Sequence, residues 1–254
     1  MTDDGSGYFF KDTHYSDVLK TRLKDGVEMD SARAMAGYLQ SNCSGDLRIL
    51  DFGGGPGHYF PVIARTYTGG RLAYHSVDID ETHVQFGQDH FHGHDGVSFA
   101  VGSVLEPGAS HTNQNCIISA NTLPHVQSVQ PLLHYVRDNA SIEYVVFRML
   151  IGNECVQIKK HLLEDQFDAM YASDFQYNNI YTLKYLQWCL GPDWQLDIKD
   201  DVFDAERLQQ HRLPAQDSDP FYANRVSRPV GQMIFKGDIY MPWRFVIGRR
   251  NKHP

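Results

Sequence analysis

Asp51-Phe52-Gly53-Gly54-Gly55-Pro56-Gly57 sets a carboxylate two residues ahead of a run of glycines. Without a Cβ the backbone can turn sharply there and come close to a bound molecule. Nicotinamide sites use the spacing G-x-G-x-x-G, which lays a pyrophosphate on a helix N-terminus. Here the glycines fall at 53, 55 and 57 and position 58 is His, so the spacing is G-x-G-x-G. A carboxylate beside such a turn suits an ammonium group and not a pyrophosphate. Twenty-one residues past Gly57 stands Asp78, at the end of a second predicted strand. A carboxylate there can accept both hydrogen bonds of a ribose diol. Gly102-Ser103-Val104 follows the third predicted strand, where an adenine edge would lie, and the Ser103 hydroxyl can donate or accept.

A ligand with an ammonium, a ribose diol, an adenine and no diphosphate is S-adenosylmethionine. The chain resembles the class I, Rossmann-like S-adenosylmethionine-dependent methyltransferases through Ile49 to Gly57, Val77-Asp78-Ile79, Val101-Gly102-Ser103-Val104 and Ile117-Ile118-Ser119-Ala120-Asn121. Order and spacing match over residues 47 to 150. The resemblance implies S-adenosylmethionine as cofactor, with Asp51 and the backbone of Gly53, Gly54, Gly55 and Gly57 near the methionine moiety. It implies Asp78 and Ile79 at the ribose, Ser103 and Val104 at the adenine, and Asn121 closing over the methionine end. Many members of the family have Asp where Ser103 stands.

Methyl transfer from a sulfonium is an in-line displacement, so the acceptor lone pair must be aligned and a hydroxyl acceptor must lose its proton. His125, just past the fourth predicted strand, is the candidate general base, since an imidazole titrates near neutral pH. A helix cap or a surface histidine is the competing reading. His58 reads as lining the cofactor cleft. His14 with Tyr8 and Tyr15 reads as aromatic packing or as part of an N-terminal lid. His90-x-His92-x-His94 invites a metal. It lies between a helix and a strand, away from the strand carboxyl ends, and reads as solvated. Asn121 stands where catechol-type metal-dependent enzymes have acids, so no catalytic metal is expected. Tyr177, Tyr181 and Tyr185 recur every four residues with Trp188 near the same helical face. Such a stripe packs on a core, and here a few rings could also wall an acceptor pocket.

These residues need a frame. Leu47–Phe52 reads as a buried parallel strand, and His58 to Tyr67 as a helix with Pro61 in its first turn. Strands over Leu72–Val77, Val97–Val101, Asn115–Ser119 and Ile142–Leu150 alternate with helices over Glu81–His90 and Pro124–Asn139. Such alternation predicts an α/β fold: a doubly wound, mostly parallel seven-stranded sheet with helices on both faces. Trp194–Val202, Gln232–Phe235 and Trp243–Ile247 read as further strands, with an antiparallel pair ending the sheet. Residues 1–46 are expected to form an N-terminal helical lid, with Asp30 or Ser31 capping a helix that stops near Ser41-Asn42. Residues 47–254 are expected to form the cofactor-binding domain, with an aromatic helical insertion at about 154–190 and an irregular one at about 204–229.

Composition narrows the partners. The 254 residues are 42% hydrophobic and no period repeats, which excludes wholesale disorder and solenoids. With 23 Lys and Arg against 31 Asp and Glu the net charge is −8, which disfavours nucleic acid. No apolar run spans a bilayer, the opening residues lack a secretory pattern, and the four cysteines contain no C-x-x-C. A reduced, cytoplasmic protein is expected. Residues 119–124 read S-A-N-T-L-P rather than the N/D-P-P-Y/F of enzymes that methylate nucleic-acid bases. The expected activity is therefore transfer of a methyl group to a small molecule or sugar intermediate, at oxygen first, nitrogen second and carbon third. A non-catalytic relative that binds the cofactor as sensor or partner subunit is the rival reading.

Overall fold

The computed structural model describes residues 13–108, 113–161, 175–201, 227–230, 233–236 and 239–251. Two helices, α1 (Thr13–Lys24) and α2 (Asp30–Asn42), precede β1 (Leu47–Phe52). There follow α3 (Phe60–Thr66), β2 (Leu72–Asp78), α4 (Glu81–His90), β3 (Val97–Val101) and β4 (Cys116–Ala120). A 3-10 turn at Leu123–His125 leads to α5 (Gln130–Asp138) and β5 (Tyr144–Leu150). Short strands β6 (Lys159–His161) and β7 (Phe175–Tyr177) come next, then α6 (Leu183–Leu190) and β8 (Trp194–Asp200). The chain closes with β9 (Ser227–Val230), β10 (Met233–Lys236), β11 (Ile239–Tyr240) and β12 (Trp243–Arg250).

Seven strands form one sheet in the order β3-β2-β1-β4-β5-β12-β8. β1 pairs in parallel with β2 and β4, while β12 runs antiparallel to both β5 and β8. The strand order reverses between β1 and β4, which opens a crevice at their carboxyl ends. Alternate residues of the central strands feed two cores. Leu50, Phe52, Ile117, Val145 and Phe147 pack under α5 and α6, and Ile49, Ile118 and Val146 pack under α2 and α3. Because β1 is covered on both faces, it reads as a continuous apolar run broken only by Arg48 and Asp51.

Local chemistry sets the helix ends. The Asp80 carboxylate accepts the Thr82 N–H at 2.8 Å and starts α4. Thr182 does the same for α6 with the Tyr185 N–H at 3.1 Å. Neither Asp30 nor Ser31 caps α2. Met29 occupies that position without a side-chain bond, and the Ser31 hydroxyl instead meets the Tyr59 hydroxyl at 2.7 Å.

Three other expectations need correction. The helix predicted over Pro124–Asn139 is broken: Val126 is extended, its carbonyl is held by Asn179 Nδ2 at 2.8 Å, and Pro131 restarts the helix in α5. The insertion at 154–190 is not largely helical among the described residues, since β6 and β7 pair there and α6 alone is helix. A spacing of four is one helical turn but also two strand repeats, so Tyr177 and Tyr181 fit either. Gln232–Phe235 belongs in part to a separate three-stranded sheet, β11-β10-β9, so the antiparallel pair that does end the main sheet is β12 with β8, β12 being antiparallel to β5 as well. Most of the irregular stretch at 204–229 lies outside the described residues, but Ser227 opens β9. No helix among them is long and apolar enough to cross a membrane.

Candidate functional site

β1 delivers Asp51 to the crevice at its carboxyl end, on the face shared with Tyr74. Asp51 is 3% exposed, and the Tyr74 hydroxyl donates to its Oδ2 at 2.5 Å. Burial pushes the Asp51 carboxyl up to about 7, with the Tyr74 bond pulling it down and the charge of Asp78 pushing it further up. Tyr74 is itself raised well above the ordinary phenol range by burial and by Asp51.

The glycine turn is tied to β2 at both edges. The Gly53 N–H donates to the Val77 carbonyl at 2.7 Å, and the Gly55 N–H donates to Asp78 Oδ2 at 2.8 Å. The Ser76 hydroxyl donates to the Gly55 carbonyl at 3.2 Å, and the Gly57 N–H to that of Gly54 at 3.1 Å. Gly53 has φ +71° and a Cβ on it would lie 2.0 Å from Thr122 Oγ1. A Cβ on Gly54 would lie 2.4 Å from Ser76 Oγ. These are backbone positions that no side chain fits. Leu19 of α1 packs over the turn, 3.5 Å from where a Cβ on Gly55 would be.

Asp78 is buried and also accepts the Asp80 N–H at 2.9 Å. Ile79 follows it, half-buried, in the turn to α4. The Gly102 N–H donates to the Asp78 carbonyl at 3.0 Å, which brings the β3 turn alongside. Within that turn Ser103 Oγ accepts the Leu105 N–H at 3.1 Å, leaving its proton to donate. Val104 is buried against the core that holds Leu50, Phe52 and Val77.

Asn121 adopts φ +67°, and its Oδ1 accepts a bond from Arg148 Nη1. The other arm of Arg148 pairs with the buried carboxylate of Asp201, and its guanidinium lies 4.4 Å from the centre of the Trp243 ring. Trp243 meets His125 edge-on at 6.4 Å. His125 Nδ1 lies 2.7 Å from the Tyr177 carbonyl, so Nδ1 carries the proton and Nε2 is the basic nitrogen. Gln176 Nε2 approaches the same Nδ1 at 3.2 Å. His58 follows the turn with a buried Nδ1 that has no partner among the described residues; burial, aided by the charges of Arg22 and His83, pushes it down to about 3.

The structure thus gathers Asp51, the four glycines, Asp78, Ile79 and Ser103 around the ends of β1, β2 and β3, with Asn121 and His125 beside them past β4. His90 stacks on Phe86 at 6.0 Å, and the 90–94 segment leads into the opposite end of β3. No group of three or more His, Cys, Asp or Glu side chains converges among the described residues. The side chains of Tyr8, His14 and Tyr15 lie outside the described residues. Sequence reasoning missed Tyr74, Ser76, Arg148, Asp201 and Trp243. Only Arg148 announces itself, as a cation inside the buried run Tyr144–Leu150.

A family model described as a methyltransferase domain matches residues 44–217. No curated protein sequence matches the chain. Among solved structures, phosphoethanolamine N-methyltransferase 2 of Haemonchus contortus in complex with S-adenosyl-L-methionine superposes with a TM-score of 0.55 at 14% identity. That match takes in 87% of this chain and 52% of the other, so the chain spans about half the length of that enzyme. The [4+2]-cyclase SpnF gives a TM-score of 0.56 at 12% identity over 88% of this chain and 82% of that one. A chain from the complex of the Haloferax volcanii Trm112 methyltransferase activator with a methyltransferase gives 0.56 at 12% identity, over 94% and 96%. The sheet order, the glycine turn and the family match agree: the chain has the class I, Rossmann-like fold and belongs to the methyltransferase-domain family.

Proposed function

We propose that this protein transfers the methyl group of S-adenosylmethionine to a small-molecule acceptor, at oxygen first, nitrogen second and carbon third. The observation that carries the reading is the pairing of two buried carboxyl groups, Asp51 and Asp78, around a turn where a Cβ at Gly53 or Gly54 would collide. The residues present fit the cofactor. Asp51 would neutralise its ammonium, Asp78 with Ile79 would hold the ribose, and Ser103 with Val104 would border the adenine. Asn121 would border the methionine end, and α1, which already covers Gly55, would act as the lid. When bound, the cofactor supplies an electrophilic methyl group on its sulfonium.

The chain's own residues do the rest. The Tyr177 carbonyl orients the His125 ring and sets its tautomer. His125 Nε2 then takes the proton of a hydroxyl acceptor as its oxygen is alkylated. The net charge of −8 supports a small metabolite over a nucleic acid.

Calorimetry with S-adenosylhomocysteine and incubation of labelled S-adenosylmethionine with a metabolite extract test the reading. Binding together with a labelled small product is the expected result. Binding with no labelled product would favour a sensor or partner subunit, and NADH binding without S-adenosylhomocysteine binding would sink both.

A further inference from the structure

A buried amide without partners lies outside the cofactor crevice. Asn178 is 1% exposed, and among the described residues neither its Nδ2 nor its Oδ1 has a hydrogen-bond partner. Buried amides in native proteins are almost always paired, and an unpaired one is costly at both ends. A leucine would fill similar volume without that penalty. The backbone around Asn178 is firmly placed: its N–H donates to the Ile158 carbonyl at 2.9 Å, and the Asn179 N–H to that of Pro124 at 2.8 Å. So the side chain is not an accident of a loose loop. Two more amides, Gln176 and Asn179, are buried within two residues of it, and Asn179 Oδ1 is also without a partner.

This amide cluster abuts the proposed base. The Tyr177 carbonyl and Gln176 both reach His125 Nδ1, and Gln176 and Asn178 share a side in an extended segment by the period of two. A short chain of contacts leads back to the glycine turn, from His125 N–H to the Thr122 carbonyl and from Thr122 Oγ1 to the Gly53 carbonyl. The cluster carries no charge of its own. Among the described side chains around His125 and Trp243, the Arg148 guanidinium is already paired with Asp201.

We infer that Asn178 recognises the acceptor, and that the acceptor is a neutral molecule presenting a hydrogen-bond donor beside an acceptor, as a lactam does. The inference rests on the methyltransferase reading above and names the substrate class of that site. A primary amide offers one donor and one acceptor side by side, so its complement is a second such pair. The amide is enclosed, and a ligand reaches it by local opening of the β6–β7 ladder, which runs from His161↔Phe175 through Lys160↔Gln176 and Lys159↔Tyr177 to the Asn178–Ile158 bond and the Val156↔Ile180 bridge. A ladder of two strands with no third is the kind of element that opens locally while the core stays folded.

The test uses the full chain and 2-pyrrolidone as the lactam probe, titrated by NMR with and without S-adenosylhomocysteine. Cyclopentanone, which lacks the donor, is the control. Wild type should bind the lactam more tightly than the ketone. Asn178→Leu should weaken lactam binding at least about tenfold, keep S-adenosylhomocysteine affinity within about twofold, and unfold in urea no earlier than wild type. Asn178→Asp, the same size with no donor, should lose the lactam too. No lactam binding to wild type, equal binding to wild type and Asn178→Leu, or a marked loss of stability in Asn178→Leu would each overturn the inference. Loss of stability would mean that the amide is satisfied within the fold. Absence of S-adenosylhomocysteine binding in every protein would fall on the earlier reading instead, while the lactam titration without it still decides this one.

Discussion

Replacing Asp51 by asparagine should stabilise the ligand-free protein at alkaline pH and at the same time remove its hold on the cofactor. The Asp51 carboxyl is enclosed, with the Tyr74 hydroxyl donating to it, and burial keeps it protonated up to about 7 instead of the ordinary 3.8. For an acid, a raised value in the fold means that the folded state binds more protons than the unfolded one between those two pH values. Stability therefore falls as pH rises from about 4 to about 7, and the full penalty persists above that range. At about 1.4 kcal/mol per unit, holding the naked carboxylate costs on the order of 4 kcal/mol. Asparagine keeps an acceptor for the Tyr74 hydroxyl and never ionises. The stability advantage of Asp51→Asn over wild type should accordingly grow by roughly 2–3 kcal/mol between about pH 5 and pH 8. Urea unfolding of both proteins at the two pH values measures it. Calorimetry at neutral pH should show the complementary loss, since an ammonium ligand needs the ionised form and its binding to wild type should release a proton. Stability curves that stay parallel from acid to alkaline pH would refute the reasoning, because they would mean that Asp51 is ionised throughout.

Asp78→Ala removes the charge-assisted bonds to a diol and should weaken S-adenosylhomocysteine by about 1.5–3 kcal/mol, roughly ten- to a hundredfold by calorimetry. Because Asp78 also holds the Gly55 and Asp80 N–H groups, the same variant should melt earlier. Gly53→Ala forces a Cβ onto Thr122 at a positive φ and should destabilise the fold by roughly 2–5 kcal/mol, read as an earlier denaturation midpoint. His125→Ala should lower turnover about 10²- to 10⁴-fold with cofactor affinity within about twofold; full activity would remove it from the chemistry.

Much of the frame was legible from the chain. β1, β3 and α4 fall where hydrophobic pattern and turn residues put them, since each is decided within a few neighbours. The acid, the glycines and Asp78 were equally readable, because a turn that excludes every Cβ writes itself as glycine. The segment from 154 to 182 was misread for a physical reason. Rings spaced four apart satisfy a helix and a strand alike, and only the bridges Val156↔Ile180 and Ile151↔Tyr181 choose between them. α5 was drawn too long because nothing local to Val126 says that an asparagine 53 residues on will hold its carbonyl.

The sequence alone settled which backbone would turn where and which acids flank that turn, because those are short-range consequences of glycine conformation and apolar period. It could not settle the surroundings of those acids. Tyr74 reaches Asp51 across 23 residues, Asp201 reaches Arg148 across 53, and the carbonyl that orients His125 comes from 52 residues away. Such meetings arise when parallel pairing (β1–β2), antiparallel pairing (β5–β12–β8) and the packing of β7 on the 123–125 turn bring distant segments together and burial strips away their water. Only the folded sheet decides the protonation of Asp51, the tautomer of His125 and the isolation of Asn178.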